Sequence, residues 1–156
     1  MKKNVTVTVT LDQIRVVPET GESEEGFRDE RFVSTVESEG ELFADGEKIT
    51  IVYLENEITG LPNCETTLSF PTREPGRVTM SREGLVRTVL MFSEGERYLS
   101  VYETEYGSFE LGVVTEKCEN TVTPDGGDMN IIYTVELRGA RAERNEISIK
   151  IRTVES

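Results

Sequence analysis

The chain has no histidine, no tryptophan and only two cysteines, and its 17 Lys and Arg are outnumbered by 30 Asp and Glu. Each shortage excludes something. Without histidine the usual general base is missing, and with it go the Ser-His-Asp and Cys-His arrangements and the common nitrogen ligands for zinc, copper or non-haem iron. Cys64 and Cys118 lie far apart and are too few for a disulfide framework or a Cys-only zinc site, so they read as reduced, apolar packing groups. A net charge of −13 repels polyanions, which makes nucleic acid and anionic membrane surfaces poor partners. No stretch approaches the roughly 18 apolar residues of a membrane helix. The most apolar run, residues 86–92, already contains Arg87. Where a secretory leader needs a continuous apolar segment, the first strand has threonine at every second place, so a cytoplasmic location is expected. The phosphate-cradling patterns GxxxxGK[ST] and GxGxxG are absent too. Asp125-Gly126-Gly127-Asp128 supplies two acids in a tight turn, not the spaced oxygens of a calcium loop. No metal, cofactor or catalytic residue is therefore expected, and the protein reads as a non-enzyme.

What is present is alternation. Val5, Val7, Val9 and Leu11 alternate with Thr6, Thr8 and Thr10, the period-two signature of a strand with one dry and one wet face. The phase slips between Leu11 and Ile14, and Val16 continues the new one, which predicts a β-bulge near Asp12-Gln13. Residues 18–30 hold glycines at 21 and 26 and six acids, and this segment reads as a mobile acidic loop. A bent strand follows over residues 31–44, and Asp45-Gly46 signals a two-residue hairpin. Arg73-Glu74-Pro75-Gly76 places proline and glycine where a type II turn wants its two central residues. Short strands separated by Gly84, Gly95, Gly107 and the 124–128 turn continue to Ile147, Ile149 and Ile151. Roughly ten strands in series, with no 3.6-residue periodicity, give an all-β meander in a single domain, residues 1–156. Sandwich and barrel both fit such a series. Pairing of the first and last strands favours the barrel, because it removes the edges.

Two stripes end in charge. The face carrying Ile49, Ile51 and Tyr53 continues to Glu55, and the one carrying Val78 and Met80 continues to Arg82. Unpaired charges are costly in a core, so both either emerge at a rim or meet and offset one another. Meeting would create a polar spot inside one end of the barrel, with Tyr53 or Tyr102 beside it, where a small ligand could be oriented. Thr115 ends the stripe of Phe109, Leu111 and Val113 with a hydroxyl and joins these candidates. A solvated rim or an ion pair that only specifies the fold is the competing reading of the charged pair. Leu99 and Val101 alternate with Tyr102 and Thr104, so the inward face of that strand is ambiguous.

The segments Tyr53-Leu54-Glu55, Arg82-Glu83-Gly84, Leu90-Met91-Phe92, the run from Tyr102 to Leu111 with Thr115, and Ile131-Ile132-Tyr133 are similar, in order and spacing, to the YwiB-like proteins of bacteria. The resemblance spans about Phe32 to Ile151. It implies an up-and-down antiparallel barrel of eight or so strands, calycin or lipocalin-like, in a cytoplasmic protein with no known activity to carry over. Two functions remain in view. One is a binding protein holding a small, partly apolar molecule near Tyr53, Glu55, Arg82, Tyr102 and Thr115. The other is an interaction or assembly module, alone or as a homo-oligomer, whose barrel is filled by its own side chains.

Overall fold

Period-two alternation runs through the strands, and the computed structural model turns it into one continuous wall. The structure describes residues 1–18, 26–55 and 64–154. Ten strands follow in order: β1 (Lys2–Pro18), β2 (Phe27–Ala44), β3 (Lys48–Glu55), β4 (Cys64–Pro71), β5 (Arg77–Glu83), β6 (Arg87–Ser93), β7 (Arg97–Thr104), β8 (Gly107–Asn120), β9 (Gly126–Leu137) and β10 (Ala140–Thr153). Each pairs antiparallel with its sequence neighbours, and β1 pairs with β10 over Val5↔Thr153 to Arg15↔Glu143, which closes the barrel. The protein is thus an all-β, up-and-down antiparallel barrel, with ten strands where the resemblance implied eight or so.

Turn chemistry departs from the sequence reading in small ways. The β2–β3 hairpin is present, but Asp45 lies one step before its centre: Asp45 N donates to Lys48 O at 3.3 Å, and Asp45 Oδ1 accepts from the backbone N of Glu47 and Lys48. Gly46 takes the positive φ of 91°. The turn at Pro75-Gly76 is closed by Arg77 N to Glu74 O at 3.1 Å. Gly76 is not among the positive-φ glycines, so this is not the type II turn expected. Asp125 and Asp128 are taken up in ion pairs, with Lys3 at 2.8 Å and Arg152 at 3.2 Å.

Two expectations need correction. β1 pairs without interruption with both β2 and β10, so no bulge interrupts Asp12-Gln13. The register shifts lie instead in β10, between Arg141 and Glu143, and in β8, between Thr115 and Lys117. The 18–30 loop is also shorter than expected, because Phe27–Glu30 pair in β2 against β1. Residues 19–25 of that loop lie outside the described residues.

One end of the barrel is solid. Ile49, Ile51, Leu68, Phe70, Val78, Met80, Phe92, Met129, Ile131, Ile149 and Ile151 are almost wholly buried there, with Val5 and Val7. Phe92 and Tyr133 pack with ring centroids 4.6 Å apart. Gly40 sits at a crowded point of β2, where an added Cβ would lie 2.8 Å from the carbonyl oxygen of Val52. The weakest seam is β6–β7, whose ladder holds only Arg87↔Glu103 and Thr88↔Tyr102.

Candidate functional site

Followed toward the other end, each inward stripe changes from aliphatic to polar at one level of the wall. On β1 the order is Val9, Leu11, Gln13, Arg15, and its partners on β10 are Ile149, Ile147, Asn145 and Glu143. On β3 Ile51 gives way to Tyr53 and Glu55. The pairing chain Tyr53↔Thr66↔Arg82↔Thr88↔Tyr102 carries the polar level across β3 to β7, and Tyr133↔Asn145↔Gln13 carries it across β9, β10 and β1. This girdle crowns the apolar core and surrounds an open cavity of about 470 Å³. Aliphatic wall comes from Val9, Leu11, Val36, Met80, Leu111, Val135 and Ile147, and polar wall from Gln13, Arg15, Tyr53, Glu55, Arg82, Tyr102, Tyr133, Glu143 and Asn145. A volume near 470 Å³ falls within the roughly 300 to 1,000 Å³ of small-molecule sites.

Glu55 and Arg82 meet in this wall. Arg82 Nε donates to Glu55 Oε1 at 3.2 Å, with the glutamate side chain 5% exposed and the arginine 23%. Thr66 Oγ1 donates to the same carboxylate oxygen at 2.6 Å. Because only Nε of Arg82 is used, both Nη groups are left without a hydrogen-bond partner among the described residues. Burial opposes the charge on Arg82, but Glu55 and the two phenols outweigh it, and the guanidinium pKa is raised. Burial and the charge of Glu55 push the Tyr53 phenol well above its ordinary value, and burial pushes Tyr133 up to about 12. Both tyrosines therefore remain protonated hydroxyls at neutral pH.

Of the remaining sequence candidates, Tyr102 turns inward and lines the cavity, which resolves the ambiguous face of β7. Leu99 and Val101 point outward and are exposed. Thr115 does not line the cavity. It is 1% exposed, as fully buried as Val113, and its hydroxyl has no partner among the described residues. Its backbone instead holds the β6–β7 turn, through Gly95 N to Thr115 O at 2.9 Å and Thr115 N to Glu96 O at 3.1 Å.

Sequence reasoning missed the wall opposite Arg82. Arg15 Nε donates to Gln13 Oε1, Gln13 Nε2 donates to Asn145 Oδ1 at 2.7 Å, and Asn145 Nδ2 donates to Glu143 Oε1 at 3.2 Å. The Arg15 guanidinium also lies over the Phe32 ring, 4.7 Å from its centroid. The signal was in the alternation: counting on from Val5 in unbroken steps of two reaches Gln13 and Arg15. The expected bulge moved that count onto Ile14. The β10 register shift brings the consecutive residues Ala142 and Glu143 both to the cavity, a detail without a sequence signature.

Comparisons with known proteins agree with this architecture. The crystal structure of the ywiB protein from Bacillus subtilis superposes with a TM-score of 0.70 over 99% of this chain and 94% of that one, at 18% sequence identity. At that identity the likeness shows a shared fold. No curated protein sequence matches the chain. A family model described as Domain of unknown function (DUF1934) matches residues 20–149, and the chain belongs to that family.

Proposed function

We propose that the protein is a non-enzymatic, cytoplasmic binding protein that holds one small, partly apolar molecule in the open half of its barrel. The observation that carries this reading is the cavity of about 470 Å³, aliphatic over much of its wall and crossed by a girdle of polar side chains. Filling the space with the protein's own side chains would have protected the core equally well, yet the chain places Glu55 and Arg82 at the edge of a void. A buried ion pair contributes little net stability, so its presence beside a ligand-sized space fits orientation of a bound group. The resemblance to calycin-type barrels supports the same reading, since a barrel of about eight strands is wide enough to hold one small ligand where side chains do not fill it.

The test is uptake of a neutral apolar dye such as Nile red. The wild type is expected to bind it with enhanced, blue-shifted emission. Val9→Phe and Ala142→Phe, which project new rings into the cavity from β1 and β10, are expected to lose most of that signal while keeping the β-sheet circular dichroism. Equal dye binding by all three proteins would place the dye elsewhere and count against the barrel as the site.

A second reading, self-association, rests on the outer face of β6 and β7. Val89, Met91, Leu99 and Val101 are all exposed there, flanking the short ladder. Sedimentation velocity tests this reading independently of the dye assay, because a stable dimer that buries this face leaves the barrel cavity untouched.

A further inference from the structure

The hydrogen-bond inventory of the missed wall says more about the ligand than the cavity's size does. Gln13 and Asn145 are 7% and 1% exposed, and each has one carbonyl oxygen and one N–H₂ group with two hydrogens. In the chain from Arg15 to Glu143, each carbonyl oxygen accepts one hydrogen bond, Gln13 Oε1 from Arg15 and Asn145 Oδ1 from Gln13. Each amide spends one N–H along the chain, on Asn145 and on Glu143. One N–H on each amide is then left without a partner among the described residues. The chain begins on a cation and ends on a carboxylate, so the wall as a whole is neutral. Each carbonyl keeps a second lone pair, but an under-used carbonyl is tolerated better than an orphaned N–H, so the unmatched donors set what the wall asks of a ligand.

From this the geometry points to a second anchoring site: Gln13 and Asn145 receive a neutral oxygen acceptor, a carbonyl or hydroxyl, on a ligand whose other polar end lies at Arg82. The inference rests on the proposed barrel-binding function and adds the ligand's class, an elongated molecule with an apolar middle and an oxygen function at each end. Arg82, with both Nη groups unpaired among the described residues, suits the more polar end, a carboxylate. The amide pair carries no net charge and suits the neutral end. A buried N–H left unmatched is unfavourable, so the site discriminates against a ligand with nothing to offer there.

The probes are straight-chain carboxylic acids of about six to about ten carbons, each compared with the same acid bearing a keto oxygen on its penultimate carbon, in displacement of the bound dye. At the chain length that spans the cavity, the keto acid is expected to bind about fivefold or more tightly than its parent, the worth of one well-made hydrogen bond. The double variant Q13L/N145L removes both amides together, so neither is stranded, and is expected to lose that preference while still binding the parent acid. Keto and parent acids that displace the dye equally at every length would overturn the second anchor and leave the barrel-binding function standing. A keto preference that survives in Q13L/N145L would also overturn it. If no acid displaces dye that the cavity-filling variants show to be in the barrel, the two-ended ligand class is wrong. If the dye is not in the barrel at all, the binding function fails first and this inference with it.

Discussion

Glu55 is the residue on which the wall's electrostatics turn. Its carboxylate is nearly inaccessible and is satisfied by Arg82 and Thr66. Arg82→Met strips that carboxylate of its cation and is expected to cost about 3 kcal/mol in urea unfolding. E55Q/R82M, which removes both charges, should recover most of the loss; a double variant no more stable than the single one would mean that the pair does not act as a unit. Tyr133 supplies a pH signature. Its phenol is raised from 10.0 to about 12 by burial, so between those values the folded chain keeps a proton that the unfolded chain has released. Stability is therefore fully present below pH 10 and falls as pH rises toward 12. Tyr133→Phe should flatten part of that decline, by at most about 1.4 kcal/mol at pH 11, in thermal melts from pH 9 to 11. The pairing of Glu55 with Arg82 was legible in the sequence because each broke an otherwise apolar stripe. Gln13 and Asn145 were not, because polar residues on a strand ordinarily signal its wet face, and nothing local says that both amides turn inward and satisfy each other.

Among the elements, β6 and β7 form the joint with the fewest backbone ties. Ser100 compensates by donating its hydroxyl to the carbonyl of Val89, and Thr88 and Ser100 are buried together at 3.4 Å. Amides in residues 89–93 and 99–101 should exchange with deuterium faster than those of β1, β9 and β10, whose ladders are long. Ser100→Ala leaves the Val89 carbonyl without its donor and should cost about 1 to 2 kcal/mol while accelerating exchange in this seam alone. Exchange that is uniform around the barrel would remove the seam as a weak point. The order and type of the strands were readable from period-two runs and glycine turns. The open seam was not, because Leu99 and Val101 look like core residues, and only the ladder turns them outward.

For the whole molecule, closure follows from the pairing of β1 with β10, which the regularity of both end strands anticipated. Closure alone does not decide whether the interior is plugged. Both outcomes occur in this barrel: aliphatic side chains fill one end, and the polar girdle of the other borders an open space. The strand pattern could not give that division, because cavity volume depends on how tilted neighbours stack across the interior and not on the alternation within any one strand. The central claim is that this space holds a small molecule, and native mass spectrometry of the wild-type protein, purified without denaturation from cells that make it, tests this most directly. The account predicts a species heavier than the bare chain by one small-molecule mass, released on acid denaturation and missing from Val9→Phe and Ala142→Phe prepared in parallel. A spectrum showing only the bare chain, or an adduct retained equally by the cavity-filled variants, would contradict it.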